Sequence, residues 1–239
     1  MKGKKLQQNY YCVSILRCFI FIQFFTLIHH FQVEGQTHNW ERTNPGGGGA
    51  FSTIEAGPPA ANGAAQIIAG SDLSGAYYSW NGGQSWDVYG SSRGLTSTHI
   101  SGIGFHPTDA NIFFLAADGG IYKSEDGGGN FTQVISGGYN TDVKVAPSNT
   151  DIVYAAYHSA WNVASGQVYK STDGGDTWSL ISNNTLPSGL HLLKLKVHRT
   201  DANIVYAISG EGRFAGGPAQ AFRSDDGGVN WMDITPSAD

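Results

Sequence analysis

The chain has 239 residues, 40% of them hydrophobic, and a formal net charge of −5 at pH 7. That length accommodates one large all-β domain or two small ones. The acidic balance argues against a partner with a phosphate backbone, so nucleic acid is excluded, whereas neutral polymers such as glycans are not penalised.

Residues 1–35 read as a leader. Lys2, Lys4 and Lys5 form a basic start, Cys18 to Ile28 form an apolar run, and the more polar "HHFQVEG" follows. This is the order of a secretory signal peptide, with a cut after Gly35. An uncleaved anchor is the competing reading, but Arg17 and Gln23 interrupt a run that is short for a span of about 20 residues. Both cysteines, Cys12 and Cys18, fall in the leader, so the mature chain has no thiol for a disulfide, a metal or a nucleophile. Arg17 also stands where a lipoprotein signal needs a small residue before Cys18. Residues 36–239 keep 10 Lys and Arg against 18 Asp and Glu, a net charge of −8. The expectation is a secreted or periplasmic protein, stabilised by a packed core and without stable membrane insertion.

A motif then recurs four times: "SWNGGQSW" (79–86), "SEDGGGNF" (124–131), "STDGGDTW" (171–178) and "SDDGGVNW" (224–231). Its aromatic ends, Trp86, Phe131, Trp178 and Trp231, are 45, 47 and 53 residues apart. A second phrase precedes three of the copies: "FHPTDANIFFLAAD" (105–118), "VAPSNTDIVYAAY" (145–157) and "VHRTDANIVYAIS" (197–209). Two phrases in constant order at such a period mark repeated supersecondary units. Each unit reads as four short strands, in the second unit about His99–Phe105, Ile112–Ala116, Gly120–Ser124 and Phe131–Ile135, with turns at the Pro/Asp/Asn and Gly-Gly clusters. The fold expected is an all-β propeller of four-stranded antiparallel blades, about four of them, over residues 51–90, 97–136, 140–183 and 190–235.

Each motif falls between the third and fourth strands. Asn81, Asp126, Asp173 or Asp226 accepts hydrogen bonds from the turn's own backbone, the glycines supply positive φ, and the final Trp or Phe packs back on its blade. The motif resembles the Asp-box (BNR) repeats of sialidases, sortilin-type receptors and several propeller glycosidases. Its role is read as structural. A calcium loop needs several oxygen ligands at set spacing, and only one aspartate recurs, so neither metal nor cofactor is expected. "GGGG" (46–49) lacks a following Lys-Ser/Thr and reads as a loop rather than a phosphate cradle.

Turns 1–2 and 3–4 of an up-and-down blade share one face, which gives the motifs to that face. The other face collects the variable 2–3 turns, with Asp72, Asp118, Tyr157, His158, Trp161, Glu211 and Arg213, and the links between blades, with Arg93, His99 and Tyr139. Variable loops on a repeated scaffold are where sites are grafted. Carboxylates beside aromatic rings suit sugar polymers, because the rings cover pyranose faces while the acids bond hydroxyls or move protons. Each of these residues also has a plainer reading: Asp72 and Asp118 as turn formers, His99 and His158 as loop histidines, and Trp161 as packing on its own loop.

"WERTNPGGGGAFSTI" (40–54) followed by "IIAGSDLSGAYYSWNGGQSW" (67–86) resembles the start of family 74 glycoside hydrolases, which are xyloglucan-specific endo-β-1,4-glucanases. The family has a Trp, a glycine run and an aspartate in a D-[IV]-G-G-A-Y-R-W context. The resemblance implies that Asp72 is one of two catalytic carboxylates acting on a β-glucan or xyloglucan-type polysaccharide. Ser74 departs from the family Gly and Tyr78 from its Arg. Family members look like two tandem seven-bladed propellers, the second supplying the other carboxylate, so an enzyme is expected if a second propeller completes the unit. Hydrolysis needs that partner, and a separation of ~6.5–9.5 Å or ~5–5.5 Å decides inversion or retention. Glu211 and Asp118 are candidates by face. The chain is accordingly expected to be a fragment, to close as a small propeller, or to associate with another copy. The alternative function is a non-catalytic propeller that binds glycans or proteins through the same face. A sialidase reading is weaker, because only Arg93 and Arg213 are placed to meet a sugar carboxylate. Asn130 and Asn183 stand in N-x-T sequons.

Overall fold

The computed structural model describes residues 49–59, 63–160, 165–181, 185–187, 189–210 and 219–237. The leader, Trp161, Glu211, Arg213 and Asn183 lie outside these. Fourteen β-strands account for the described regular structure, with one 3-10 turn at Ser91–Arg93. Among the described residues, no helix is long and apolar enough to cross a membrane.

Strands β1 (Phe51–Pro59), β2 (Ala65–Ser71), β3 (Ala76–Ser79) and β4 (Asp87–Val88) form an antiparallel sheet in sequence order. A second sheet runs through β5 (Ile100–Phe105), β6 (Phe113–Ser124), β7 (Thr132–Val145), β8 (Val153–His158), β9 (Gln167–Ser171) and β10 (Ser179–Leu180). The third contains β11 (Lys194–Val197), β12 (Val205–Ser209), β13 (Gln220–Ser224) and β14 (Met232–Asp233). None of the three closes on itself.

The middle sheet differs from the sequence reading. Strands expected at Ile112–Ala116 and Gly120–Ser124 are one uninterrupted run, β6. The run nevertheless doubles back. The Gly127 N–H donates to the Asn111 carbonyl at 3.0 Å, just as Gly174 bonds Asp151 (2.9 Å) and Gly227 bonds Asn203 (2.8 Å) where the intervening strands are separate. The reversal, at Asp118 and at Gly119 with φ +91°, stays in the ladder because Asp118 pairs with Tyr139 and its N–H donates to the His99 carbonyl. Likewise β7 pairs with β6 through residue 139 and with β8 from there on. The middle sheet is thus two four-stranded units joined at Tyr139.

The phrases "NIFFLAA" and "DIVYAAY" read as continuous apolar runs because both faces of their strands are buried. Alternation then sends successive side chains to different cores. Phe113 and Leu115 join Ile68, Ile100, Ile103 and Phe131 in one cluster, while Phe114 and Ala116 join Val143, Val153 and Ala155 in the next. Tyr154 and Ala156 face a third cluster with Leu193, Leu195, Val205, Phe222 and Trp231. Each large apolar side chain buried in this way contributes roughly 1.5–3 kcal/mol.

The repeated hairpins share one plan. In the third copy, Asp173 Oδ1 accepts the Thr177 N–H at 2.9 Å, Gly174 and Gly175 take φ of +71° and +90°, and Trp178 Nε1 donates to the Gly175 carbonyl at 3.0 Å. Asn81 performs the same service in the first copy, accepting the Ser85 N–H at 3.0 Å. The leading serine, whose recurrence the sequence displays, is the other half of the plan: Ser79, Ser124, Ser171 and Ser224 each accept a glycine N–H at 2.8 Å on Oγ.

Candidate functional site

The hydrogen bonds that tie Gly127, Gly174 and Gly227 to the 1–2 turns put hairpins and 1–2 turns at one end of the units. At the other end the 2–3 turns bond to the links. Asp118 bonds His99, Gly75 bonds Thr98 at 2.8 Å, and Gly210 bonds His191 at 3.0 Å. The site is built at this second end.

Asp72 follows β2 and is partly buried. Its Oδ1 accepts the Ala50 N–H at 2.7 Å, and its own N–H donates to the Ala50 carbonyl at 3.0 Å. Gly49, the last of the glycine run, has φ +88°, and a Cβ there would stand 2.2 Å from Asp72 Oδ1. Gly49 therefore lies against a carboxylate of its own chain with no room for a side chain, which explains that glycine chemically.

Tyr139 stands at the junction of the two middle units. It pairs with Asp118 on one side and His158 on the other. Its hydroxyl lies 3.0 Å from His99 Nε2, the two rings meet edge to face at 5.1 Å, and the Ser101 hydroxyl is 3.5 Å away. Burial, with the negative charges of Asp118 and Asp72, pushes the Tyr139 hydroxyl above its usual pKa, while the Ser101 hydrogen bond opposes this. Tyr139 thus remains a neutral hydroxyl with two carboxylates in electrostatic reach. Asp72, His99, Asp118 and Tyr139 come from turns and links of three units, and the structure brings them together. Such a group can accept and donate hydrogen bonds to sugar hydroxyls, and Asp72 can take a proton from water.

Other sequence candidates lie elsewhere. Arg93 is engaged at the hairpin end: its Nη1 donates to the Gly128 carbonyl at 2.9 Å, and its guanidinium lies over the Tyr78 and Tyr89 rings at 5.6 and 5.5 Å. The cause is that β4 is two residues long, so the link turns at Ser91–Arg93 before climbing to His99. His158, read as a substrate-binding residue, is 1% exposed. Its Nε2 accepts the Leu193 N–H at 3.2 Å, so it braces the link into β11 rather than facing solvent. Tyr157 is half-buried and meets Tyr169 edge to face at 5.5 Å. Ser101 and the Ala50 backbone are contributors that sequence reasoning missed, since neither residue type advertises a site. Among the described residues, no group of three or more His, Cys, Asp or Glu is placed to hold a metal.

No family model matches the chain, and no curated protein matches it. Solved structures do. An ancestral GH74 enzyme matches with a TM-score of 0.65 at 25% identity, over 84% of this chain and 26% of its own. The GH74 xyloglucanase from Xanthomonas campestris matches at 0.55 and 19% identity, over 72% of this chain and 28% of its own. YCF48 from Cyanidioschyzon merolae matches at 0.50 and 14% identity, over 77% and 56% respectively. The chain spans about a quarter of the length of the two GH74 structures. What it shares with all three is an all-β, propeller-like arrangement of antiparallel sheets, and with the first two a glycoside-hydrolase-like scaffold.

Proposed function

We propose that the four hairpins are Asp-box repeats and that this chain is an exported, glycan-acting propeller of the xyloglucanase type, contributing one part of a catalytic unit. The observation that carries the reading is Asp72, held by the Ala50 N–H against Gly49 at the end that gathers Tyr139, Asp118 and His99. The scaffold likeness to GH74 structures supports it.

In this reading the substrate is a β-1,4-glucan with side branches lying across that end. Asp72 is the carboxylate that activates water or stabilises the positive charge developing on the sugar, and the opposing acid comes from further propeller structure or, within this chain, from Asp118. Titration of the purified chain with xyloglucan oligosaccharides, alongside an assay for new reducing ends, tests the reading. Saturable binding that weakens on Asp72→Asn supports it, and binding indifferent to that substitution removes Asp72 from the site.

A second reading keeps the face and drops the cleavage. The Ala50 N–H on Asp72 Oδ1 orients the carboxylate as a hydrogen-bond acceptor, as glycan recognition alone requires. Tight binding with no reducing ends, from the chain supplied with every propeller its gene encodes, would establish it.

A further inference from the structure

The innermost strands of the four units, β1, β5, the second half of β7 and β11, carry charge where a packed core would carry none. Lys144 Nζ contacts Glu55 on β1 at 3.1 Å, Asp142 at 3.0 Å and the Ile103 carbonyl on β5 at 2.8 Å, with its side chain 17% exposed. Lys194 Nζ donates to the Thr141 carbonyl at 2.7 Å and to the Ser101 carbonyl. Lys196, two residues on along β11, is exposed, and although its backbone is in the ladder opposite Tyr206, its ammonium has no hydrogen-bond or ion-pair partner among the described residues. Three of the five lysines beyond residue 35 therefore line this axis, in a stretch of chain whose net charge is −8.

At the hairpin end of these strands, opposite the Asp72 group, lies a groove of about 350 Å³. Its polar lining is Glu55, Lys144, Lys196 and His106, and its walls include Phe105 and Pro107. His106 Nδ1 accepts the N–H groups of Thr108 (3.3 Å) and Asp109 (3.0 Å), which leaves the ring proton on Nε2 as a donor. Lys144 is already matched by Glu55 and Asp142. Among the described residues, the Lys196 ammonium and the His106 Nε2–H are left without a partner, beside the Phe105 ring in the groove wall. The volume is that of a small-solute pocket.

We propose that this axial groove is a binding site for a small carboxylate-bearing solute of sugar-acid size, its carboxylate on Lys196 and His106 and its ring against Phe105. The site is separate from the Asp72 face and does not depend on the glycan reading.

The test is calorimetric titration of the purified chain with D-glucuronate at low salt, with D-glucose and inorganic phosphate as comparison probes. Saturable glucuronate binding is expected, weakened in 0.5 M NaCl, with no glucose binding. Lys196→Met is expected to lower affinity by about tenfold or more, and Lys196→Arg to keep it within about threefold, since a charge-assisted bond is lost in one and kept in the other. The thermal midpoint of each variant reports whether it is folded, and shifts of the Phe105 ring resonances on titration locate the ligand independently. Glucose binding as well as glucuronate, phosphate binding more tightly than glucuronate, or unchanged affinity in folded Lys196→Met would each overturn the proposal.

Discussion

The Tyr139 hydroxyl and His99 Nε2 are 3.0 Å apart although they begin different units, and this contact joins the two links where Asp118 also bonds back to His99. Asp72, from a third unit, adds its charge to the same hydroxyl. The group is a meeting point of three repeats.

Tyr139→Phe tests whether that meeting point handles ligand. The substitution keeps the edge-to-face ring contact with His99 and removes one hydroxyl, so stability should fall by no more than about 1 kcal/mol. Affinity for xyloglucan oligosaccharides should drop several-fold if the hydroxyl faces substrate. Calorimetry for stability and titration for binding separate the two effects, and unchanged affinity would assign Tyr139 to structure alone.

Gly49→Ala should reproduce the binding defect of Asp72→Asn without altering any charge. A Cβ at residue 49 would be 2.2 Å from Asp72 Oδ1 and would require a side chain at φ +88°. The carboxylate must move, and the Ala50 hydrogen bond with it. If Gly49→Ala binds glycan like the parent while Asp72→Asn does not, the position of the carboxylate is unimportant and only its charge matters.

The recurrence of Asp, Gly-Gly and Trp made the hairpins legible in the sequence, because each feature serves a local hydrogen bond or a local φ. The strand in "IFFLAA" was legible from its β-branched and aromatic residues, and its burial is continuous from Phe113 to Ala117 because both faces are covered. What escaped was long-range. Topology alone gives Arg93 to the ligand end, yet the two-residue β4 turns the link early and commits the guanidinium to Gly128 and two tyrosine rings. His158 sits on a 2–3 turn in sequence but points at the Leu193 N–H, which is 35 residues away. Asp72 was legible through a resemblance, and its support from Ala50 and Gly49 only through the fold.

The hairpin aspartates make stability sensitive to acid. Backbone and side-chain donors of Asn130 hold Asp126 below the usual carboxylate range, the hydroxyl and N–H of Thr177 do the same for Asp173, and Asn230 brings Asp226 down to about 2. A carboxyl whose folded pKa is depressed favours the folded state above its unfolded value, near 3.9, and that contribution is lost as pH falls through the folded value. The midpoint of thermal unfolding should therefore decline between about pH 4 and pH 2. Asp173→Asn should flatten that decline and cost little at pH 7, since Asn81 already makes the same bond to a backbone N–H. An equal acid slope in the variant would show that other carboxyls dominate.

A core substitution probes the packing between units. Phe114 is 1% exposed, in the cluster between the two middle units, edge to face with Trp178 at 6.4 Å. Phe114→Ala should cost roughly 3–5 kcal/mol by lost transfer energy and a cavity. Denaturant unfolding measures it directly, and a loss under 1 kcal/mol would mean that the two units unfold separately.

The two histidines buried among the described residues should respond to substitution in opposite directions. His191 is 5% exposed, neither ring nitrogen has a hydrogen-bond partner among the described residues, and Leu190 and Leu193 are its sequence neighbours in the core. Its local anchoring is all backbone: its N–H donates to Ser209 Oγ at 3.0 Å and its carbonyl accepts from Ser209 and Gly210. Burying unpaired ring nitrogens costs roughly 1–3 kcal/mol, so His191→Leu should stabilise by about 1 kcal/mol while the backbone bonds persist. His158→Leu should destabilise, because the Leu193 N–H then loses its acceptor inside the protein. At about 2–4 °C per kcal/mol for a domain of this size, calorimetry resolves both shifts. A fall in midpoint for His191→Leu would mean that its imidazole holds a partner in solution.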